Sequence, residues 1–235
     1  MTKKVAVLQS NYIPWKGYFD IINDVDLFIF YDDVQYTKND WRNRNKVKTP
    51  QGTQWITIPV SASSESLIHE AGFQNLQWTS KHYKTLTALY SKAPFFKEYN
   101  EFLEYVYIER KWESLSELNQ YLITYISREF LGITTEFMDS REFHTEGKRL
   151  ERLINLLKAA DATSYISGPA AKSYIDDDRF KNEGIELVYK DYTNYKEYEQ
   201  FHPPFDHYVT ILDLLFHNGP DSAFYIWGRQ EESEI

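Results

Sequence analysis

The apolar run Val5-Ala-Val-Leu8 ends abruptly in Gln9-Ser-Asn-Tyr-Ile-Pro-Trp-Lys-Gly-Tyr-Phe19, polar and aromatic residues set around a proline and a glycine. A short uninterrupted apolar run bounded by polar residues predicts a strand covered on both faces. Tyr18 to Asn23 groups its apolar residues on one helical face. Val25 to Tyr31 is then a second buried run that ends in Asp32-Asp33. The chain therefore opens β-loop-α-β, and both strands deliver polar tips to one edge of a sheet. Ligands of α/β proteins bind beyond the carboxyl ends of such strands, where backbone amides and helix N-termini converge.

Between Thr37 and Thr49 the pattern turns polar and basic, and Pro50-Gln-Gly52 predicts a turn joining Trp41–Lys48 to Gln54–Val60 as a hairpin. Ser61 to Gln77 reads as loop. Helices are expected over Ser80–Phe95, Tyr99–Ile108 and Ser114–Leu131, the last with Leu115, Leu118, Leu122, Tyr125 and Ile126 as an apolar stripe. Strands return at Ile133–Met138, Ala162–Ser167 and Ile185–Tyr189, with an amphipathic helix over Gly147–Ala160. After Pro203-Pro204, Val209–Phe216 is an apolar helix stopped by Asn218-Gly219-Pro220, and Gln230–Ile235 is an acidic tail. This alternation predicts an α/β fold, a mainly parallel sheet covered by helices, Rossmann-like or nucleotidyltransferase-like, with a basic β-hairpin and a small helical insertion. Residues 1–79 would carry the first part of the α/β unit and the hairpin, 80–132 the insertion, and 133–235 the second part.

Candidate chemistry concentrates at the predicted strand ends. Gln9, Asn11 and Tyr12 can hydrogen-bond sugar or acyl groups, and Gly17 permits close backbone approach; a structural turn is the plainer role. Asp32 and Asp33 are adjacent, so an extended chain points them to opposite faces. One of them could act as a base or hold Mg²⁺ through water, against an ordinary strand-end salt bridge. Lys38, Arg42 and Arg44 are candidate phosphate contacts, with Asn43 and Asn45 fixing their geometry, against a solvated basic hairpin face. Gly168 and Lys172 resemble parts of an anion site, and Tyr174 can orient a ligand. Asp213 is costly to bury alone, and His217 lies one turn onward on the same helix face. Their pairing would make His217 an acid or base, against a structural contact. The other histidines form no compact metal-ligand pattern, so no metal site is predicted.

With 235 residues the chain can bury a substantial core. A formal charge of −9 argues against wholesale nucleic-acid binding, although the hairpin is locally basic. The chain has no cysteine, which removes disulfides and thiolate chemistry and suits a reducing cytoplasm. Met-Thr-Lys-Lys runs straight into a short strand, too soon for a signal-peptide core, and no apolar run reaches membrane-spanning length. Aromatic residues make up 17% of the chain, with 19 tyrosines; most will pack, and some could line a groove for sugars or bases.

Several of these fragments together resemble the WbqC-like protein family. They are Gln9–Phe19, Tyr31-Asp-Asp-Val-Gln-Tyr36, Trp41-Arg-Asn-Arg-Asn45, Ser167-Gly-Pro-Ala-Ala-Lys-Ser-Tyr174 and Ile211-Leu-Asp-Leu-Leu-Phe-His-Asn-Gly219, in that order over almost the whole chain. Tyr18 and Gln35 fall inside them and join the candidate binding residues. The resemblance implies a role in making an unusual sugar of a bacterial surface glycan. The layout is also similar to nucleotidyltransferases and carboxylate-adenylating ligases, except that their paired histidines are replaced here by Gln9 and Tyr12. The expectation is transfer of an acyl or aminoacyl group to a nucleotide-linked amino sugar; nucleotidyl transfer and a non-catalytic sugar-nucleotide or glycan-binding role are the alternatives. ATP and Mg²⁺ would serve only an activation step. The Gln9, Arg44 and Gly168 regions are expected to meet at one rim.

Overall fold

The computed structural model describes residues 2–63, 65–173, 176–193 and 195–228, so Tyr174 and the acidic tail lie outside the described residues. The chain opens with strand β1 (Lys4–Leu8), helix α1 (Lys16–Asn23) and strand β2 (Leu27–Phe30). The hairpin β3 (Arg44–Thr49) and β4 (Gly52–Thr57) follows, then the short pair β5 (Val60–Ser61) and β6 (Gly72–Phe73). The segment read as loop thus carries local sheet structure of its own. Helices α2 (Gln77–Tyr90), α3 (Phe96–Glu104) and α4 (Leu115–Tyr125) come next; α3 and α4 each run on into a wider-wound turn. The chain then passes through β7 (Glu136–Asp139), α5 (Leu150–Ala159), β8 (Ser164–Ser167), α6 (Asp177–Asn182), β9 (Glu186–Tyr189), α7 (Ile211–Asn218) and α8 (Phe224–Trp227).

The main sheet is five-stranded and all parallel, in the order β7-β2-β1-β8-β9. Side chains alternate across its central strands, as the pleat requires. Val5, Val7, Leu27 and Ile29 face Ile154, Leu157 and Phe180 on one side. Ala6, Phe28 and Phe30 enter a larger core on the other, shared with α1, α2–α4 and α7. Burial on both faces explains why the central strands have continuous apolar sequences. The helices between β6 and β7 pack into that same core.

Tyr12 and the helical region interlock in this core. Tyr12 is fully buried, and its hydroxyl lies 2.8 Å from His82 Nδ1 and 2.6 Å from the Tyr107 hydroxyl. Burial raises the Tyr12 pKa well above the ordinary tyrosine value, and the neighbouring Tyr107 adds to this. Burial lowers His82 from 6.5 to about 4. Unfolded His82 binds a proton near pH 6.5 and folded His82 only near pH 4, so its contribution to stability is complete above pH 6.5. It is lost as pH falls through that window. A shift of this size corresponds to about 3 kcal/mol. Urea unfolding of His82→Phe should therefore show a weaker loss of stability from pH 7 to pH 4 than the parent chain.

Candidate functional site: a cleft at the sheet switch point

β1 is flanked by β2 on one side and β8 on the other, with the chain leaving it in one direction and returning on the opposite side. That reversal leaves a crevice beyond the carboxyl ends of β1 and β8, because the connections above them diverge to opposite faces. A cleft of about 760 Å³ occupies this place. Its floor is Val7, Leu8 and Tyr165; Gln9, Asn11, Tyr31 and Val34 come from the loops after β1 and β2. Arg42 enters from the turn before β3, and Arg149, Leu150 and Leu153 from the start of α5.

The charge pattern of the cleft is unusual. Among the described residues no acid lines it, and two arginines do. Arg149 is the residue that caps α5, yet no side chain caps that helix end. The first N–H groups of a helix lack internal partners and carry partial positive charge; Glu151 in the first turn of α5 is the one acid set against this end, beside the Arg149 cation. Arg149 also holds φ 52° and ψ −125°, a conformation glycine favours, at a cost of about 1–3 kcal/mol. Its guanidinium has no hydrogen bond or ion pair among the described residues. Arg42 Nε and Asn11 Oδ1, a donor and an acceptor, are both buried without a partner among the described residues. Together these groups place two guanidinium groups and a helix N-terminus beside a neutral polar acceptor, a set whose chemistry suits an anion.

Each carboxylate of the Asp32-Asp33 pair is engaged elsewhere. Asp32 is fully buried and accepts from the Ser10 N–H at 2.8 Å, from Gln120 Nε2 at 3.1 Å and from the Ser116 hydroxyl. It fastens the first loop to α4. Asp33 points the other way, pairing with Arg152 and accepting from the Ser140 hydroxyl at 2.7 Å. Arg152 lies 5.4 Å from the centre of the Tyr31 ring, so Asp33 steadies the cleft wall from behind. Burial raises the Tyr31 pKa above its ordinary value, opposed by Arg152.

The basic hairpin segment divides between surfaces. Arg42 lines the cleft. Lys38 and Asn43 line a separate cavity. Arg44 stacks its guanidinium 4.2 Å over the Trp55 ring on the outer hairpin face, beside Lys46. Asn45 spends its amide on the carbonyls of Tyr12 and Ile13, and Gln35 is exposed and bridged to Leu67. Gly168 stands at the end of β8 near the Tyr192 hydroxyl, outside the cleft lining, and exposed Lys172 lies over the Tyr189 ring. Of the residues Gln9, Arg44 and Gly168 themselves only Gln9 lines the cleft, and the basic hairpin segment reaches it through Arg42.

Other expected binding residues hold the loop together. The Tyr18 hydroxyl donates to the Gln9 carbonyl at 2.9 Å and is buried. A Cβ on Gly17 would stand 2.3 Å from the Trp15 ring, so that glycine makes room for a packed indole. Asp213 accepts from the Tyr90 and Tyr198 hydroxyls and from Gln200. His217 lies with Nδ1 3.7 Å from the Asp213 carboxylate and 2.7 Å from the Asp213 carbonyl. The carbonyl can only accept, so Nδ1 carries the proton, and Nε2 accepts the Phe201 N–H at 3.3 Å. Both ring nitrogens are thus used by the fold. His217→Ala is expected to cost about 1–3 kcal/mol of stability. Nucleotide affinity should not change, which thermal unfolding and calorimetric titration would check together.

Arg149 and Arg152 were hidden in the sequence by the amphipathic period that runs through Gly147–Ala160. The available signal was Gly147-Lys-Arg149 with Arg152: three cations around a helix start where Glu151 is the one first-turn acid. Among the described residues, no group of three or more His, Asp or Glu forms a metal-ligand set, and no helix is long and apolar enough to cross a membrane.

Fold and cleft define an α/β protein with an arginine-lined cleft at its switch point. The WbqC-like protein family model matches residues 9–225, and the chain belongs to that family. It is 44% identical to a Mycobacterium tuberculosis (strain ATCC 25618 / H37Rv) protein named "Uncharacterized protein Rv1507c", over 95% of this chain and 97% of that protein. No solved structure gives a significant match.

Proposed function

We propose that the switch-point cleft binds a nucleotide-linked amino sugar and that the protein transfers an acyl or aminoacyl group to the sugar amine, a step in building bacterial surface-polysaccharide precursors. The observation that carries this reading is the convergence of Arg42, Arg149 and the uncapped α5 N-terminus on an acid-free cleft. The diphosphate would lie against these groups, and Gln9 and Asn11 would meet neutral polar groups of the sugar or the acyl donor. Such binding holds the amine against the acyl carbon, which is the chief service an enzyme gives a bimolecular transfer. The amine nitrogen forms the new bond, the leaving group departs with its electron pair, and the amine proton passes to the leaving group or to water. The same cationic groups suit ATP, which supplies carboxylate activation when bound; a Mg²⁺ there would be held through nucleotide phosphates, since the lining has no carboxylate.

A second reading is nucleotidyl transfer, favoured by the strand order and by the two arginines of the lining, although the lining lacks the paired histidines of those enzymes. The test is mass spectrometry of reactions containing nucleotide-linked amino sugars, acyl donors and ATP with Mg²⁺. A nucleotide sugar heavier by the acyl group is expected. Pyrophosphate release from a nucleoside triphosphate and a sugar phosphate would establish the second reading instead, and binding with neither product would overturn both.

A further inference from the structure

Arg42 lines the switch-point cleft, whereas its neighbour Asn43 lines a separate cavity of about 510 Å³ beside the hairpin and the β5–β6 pair. Nothing in the proposed reaction uses this second space. Its volume is within the range of small-molecule sites. Tyr36, Lys38, Asn43, Ser61 and Gln74 are among its lining residues, which among the described residues include no acid and only Lys38 as a cation.

Asn43 is 5% exposed and fixed on every side but one. Its backbone N–H donates to the Asp40 carbonyl, its backbone carbonyl accepts the Ile58 N–H, and its Nδ2 donates to the Ile58 carbonyl at 2.9 Å. The amide is thereby oriented with Oδ1 as the remaining acceptor, and Oδ1 is buried without a donor among the described residues. Folded proteins rarely leave such an atom unmet, and a carbonyl oxygen is satisfied by an O–H or N–H. One exposed lysine is a weak match for phosphate beside the arginines and helix end of the cleft. Asn, Ser, Thr and Gln side chains instead pair well with hydroxyl groups, which both donate and accept.

We propose that this cavity is a second ligand site for a neutral, polyhydroxylated molecule, a glycosyl unit, with one hydroxyl donating to Asn43 Oδ1 and Lys38 and Gln74 engaging others at its edge. The site is independent of the nucleotide reading of the cleft. Saturation-transfer NMR on the full chain, with the methyl glycosides of glucose, galactose and N-acetylglucosamine as probes, tests it. Saturation of at least one glycoside is expected, unchanged in Arg42→Ala and abolished in Ser61→Trp, where an indole fills the cavity from an exposed position. Asn43→Ala should weaken that glycoside about tenfold. If Ser61→Trp does not fold, Gln74→Trp, at another exposed lining position, fills the same space. The proposal is overturned if no glycoside is saturated, if the signal survives the folded blocking variant, or if Arg42→Ala removes it.

Discussion

Arg42→Ala is expected to weaken binding of a nucleotide diphosphate sugar by about 10- to 100-fold, the loss of a charge-assisted contact of about 1.5–3 kcal/mol. The guanidinium is positioned for this without having to be gathered from solvent: its side chain is 17% exposed, and NH1 is held 3.2 Å from Asp40. Its backbone carbonyl is tied to Asn119 Nδ2 at 2.8 Å. Little rotamer freedom remains to be lost on binding, so most of the contact energy would appear as affinity. Arg149→Ala should act in the same direction but less strongly, because it removes a cation while retaining the uncapped helix end. The double variant should also show a shallower dependence of affinity on salt, since exposed charge is screened within about 10 Å at 0.1 M. Arg44→Ala is the internal control. Its guanidinium stacks on Trp55 outside the cleft, so affinity should remain at the parent value. Isothermal titration across these variants decides the matter: if Arg44→Ala is the damaging change and Arg42→Ala is silent, the ligand lies on the hairpin and the cleft assignment fails.

Asp32→Ala should be the most destabilising single change at the strand ends. The carboxylate satisfies the Ser10 N–H, the Ser116 hydroxyl and the Gln120 amide in a place that water does not reach. Removing it strands these donors and opens a void between the first loop and α4. Losses of about 3–5 kcal/mol follow from breaking a buried charged group's network. For a chain of this size, 3 kcal/mol corresponds to a fall of roughly 6–12 °C in the unfolding midpoint. Because Ser10 lies between Gln9 and Asn11, the variant should also loosen the cleft wall. Differential scanning calorimetry would measure the first effect, and amide exchange of the Gln9–Tyr12 segment the second. Asp33→Ala is expected to be milder for the fold, since the side chains of Asp33 and its Arg152 partner retain 10% and 20% exposure.

The elements of the parallel sheet could be read because each carries a local mark. Val5–Leu8 and Leu27–Phe30 are apolar without interruption, as strands covered on both faces must be, and Pro50-Gln-Gly52 stops one hairpin strand and starts the next. Gln9 and Asn11 could be placed for the same reason: they follow β1 directly, and a strand end fixes where its loop emerges. Tyr12, one residue further, could not. The backbone swings into the positive-φ conformation at Ile13, and the Tyr12 ring turns into the core to meet His82 and Tyr107, partners supplied by helices distant in sequence. The start of α5 failed in the opposite sense. Leu150, Leu153 and Leu157 set a helical period that Gly147–Arg149 does not contradict, so the sequence alone could not reveal that those residues form the loop above a cleft.

Local patterning alone determined that this chain builds a helix-covered parallel sheet with a basic hairpin, because strand burial, helical period and turn chemistry act over a few neighbouring residues. Which cations face the cleft was decided only by tertiary structure. Lys38, Arg42 and Arg44 are nearly adjacent and chemically alike, yet they go to three different surfaces, and Arg42 meets Arg149 only because the sheet reverses its winding at β1. A side chain's direction depends on what packs around its backbone, and here those neighbours come from segments far apart in the chain.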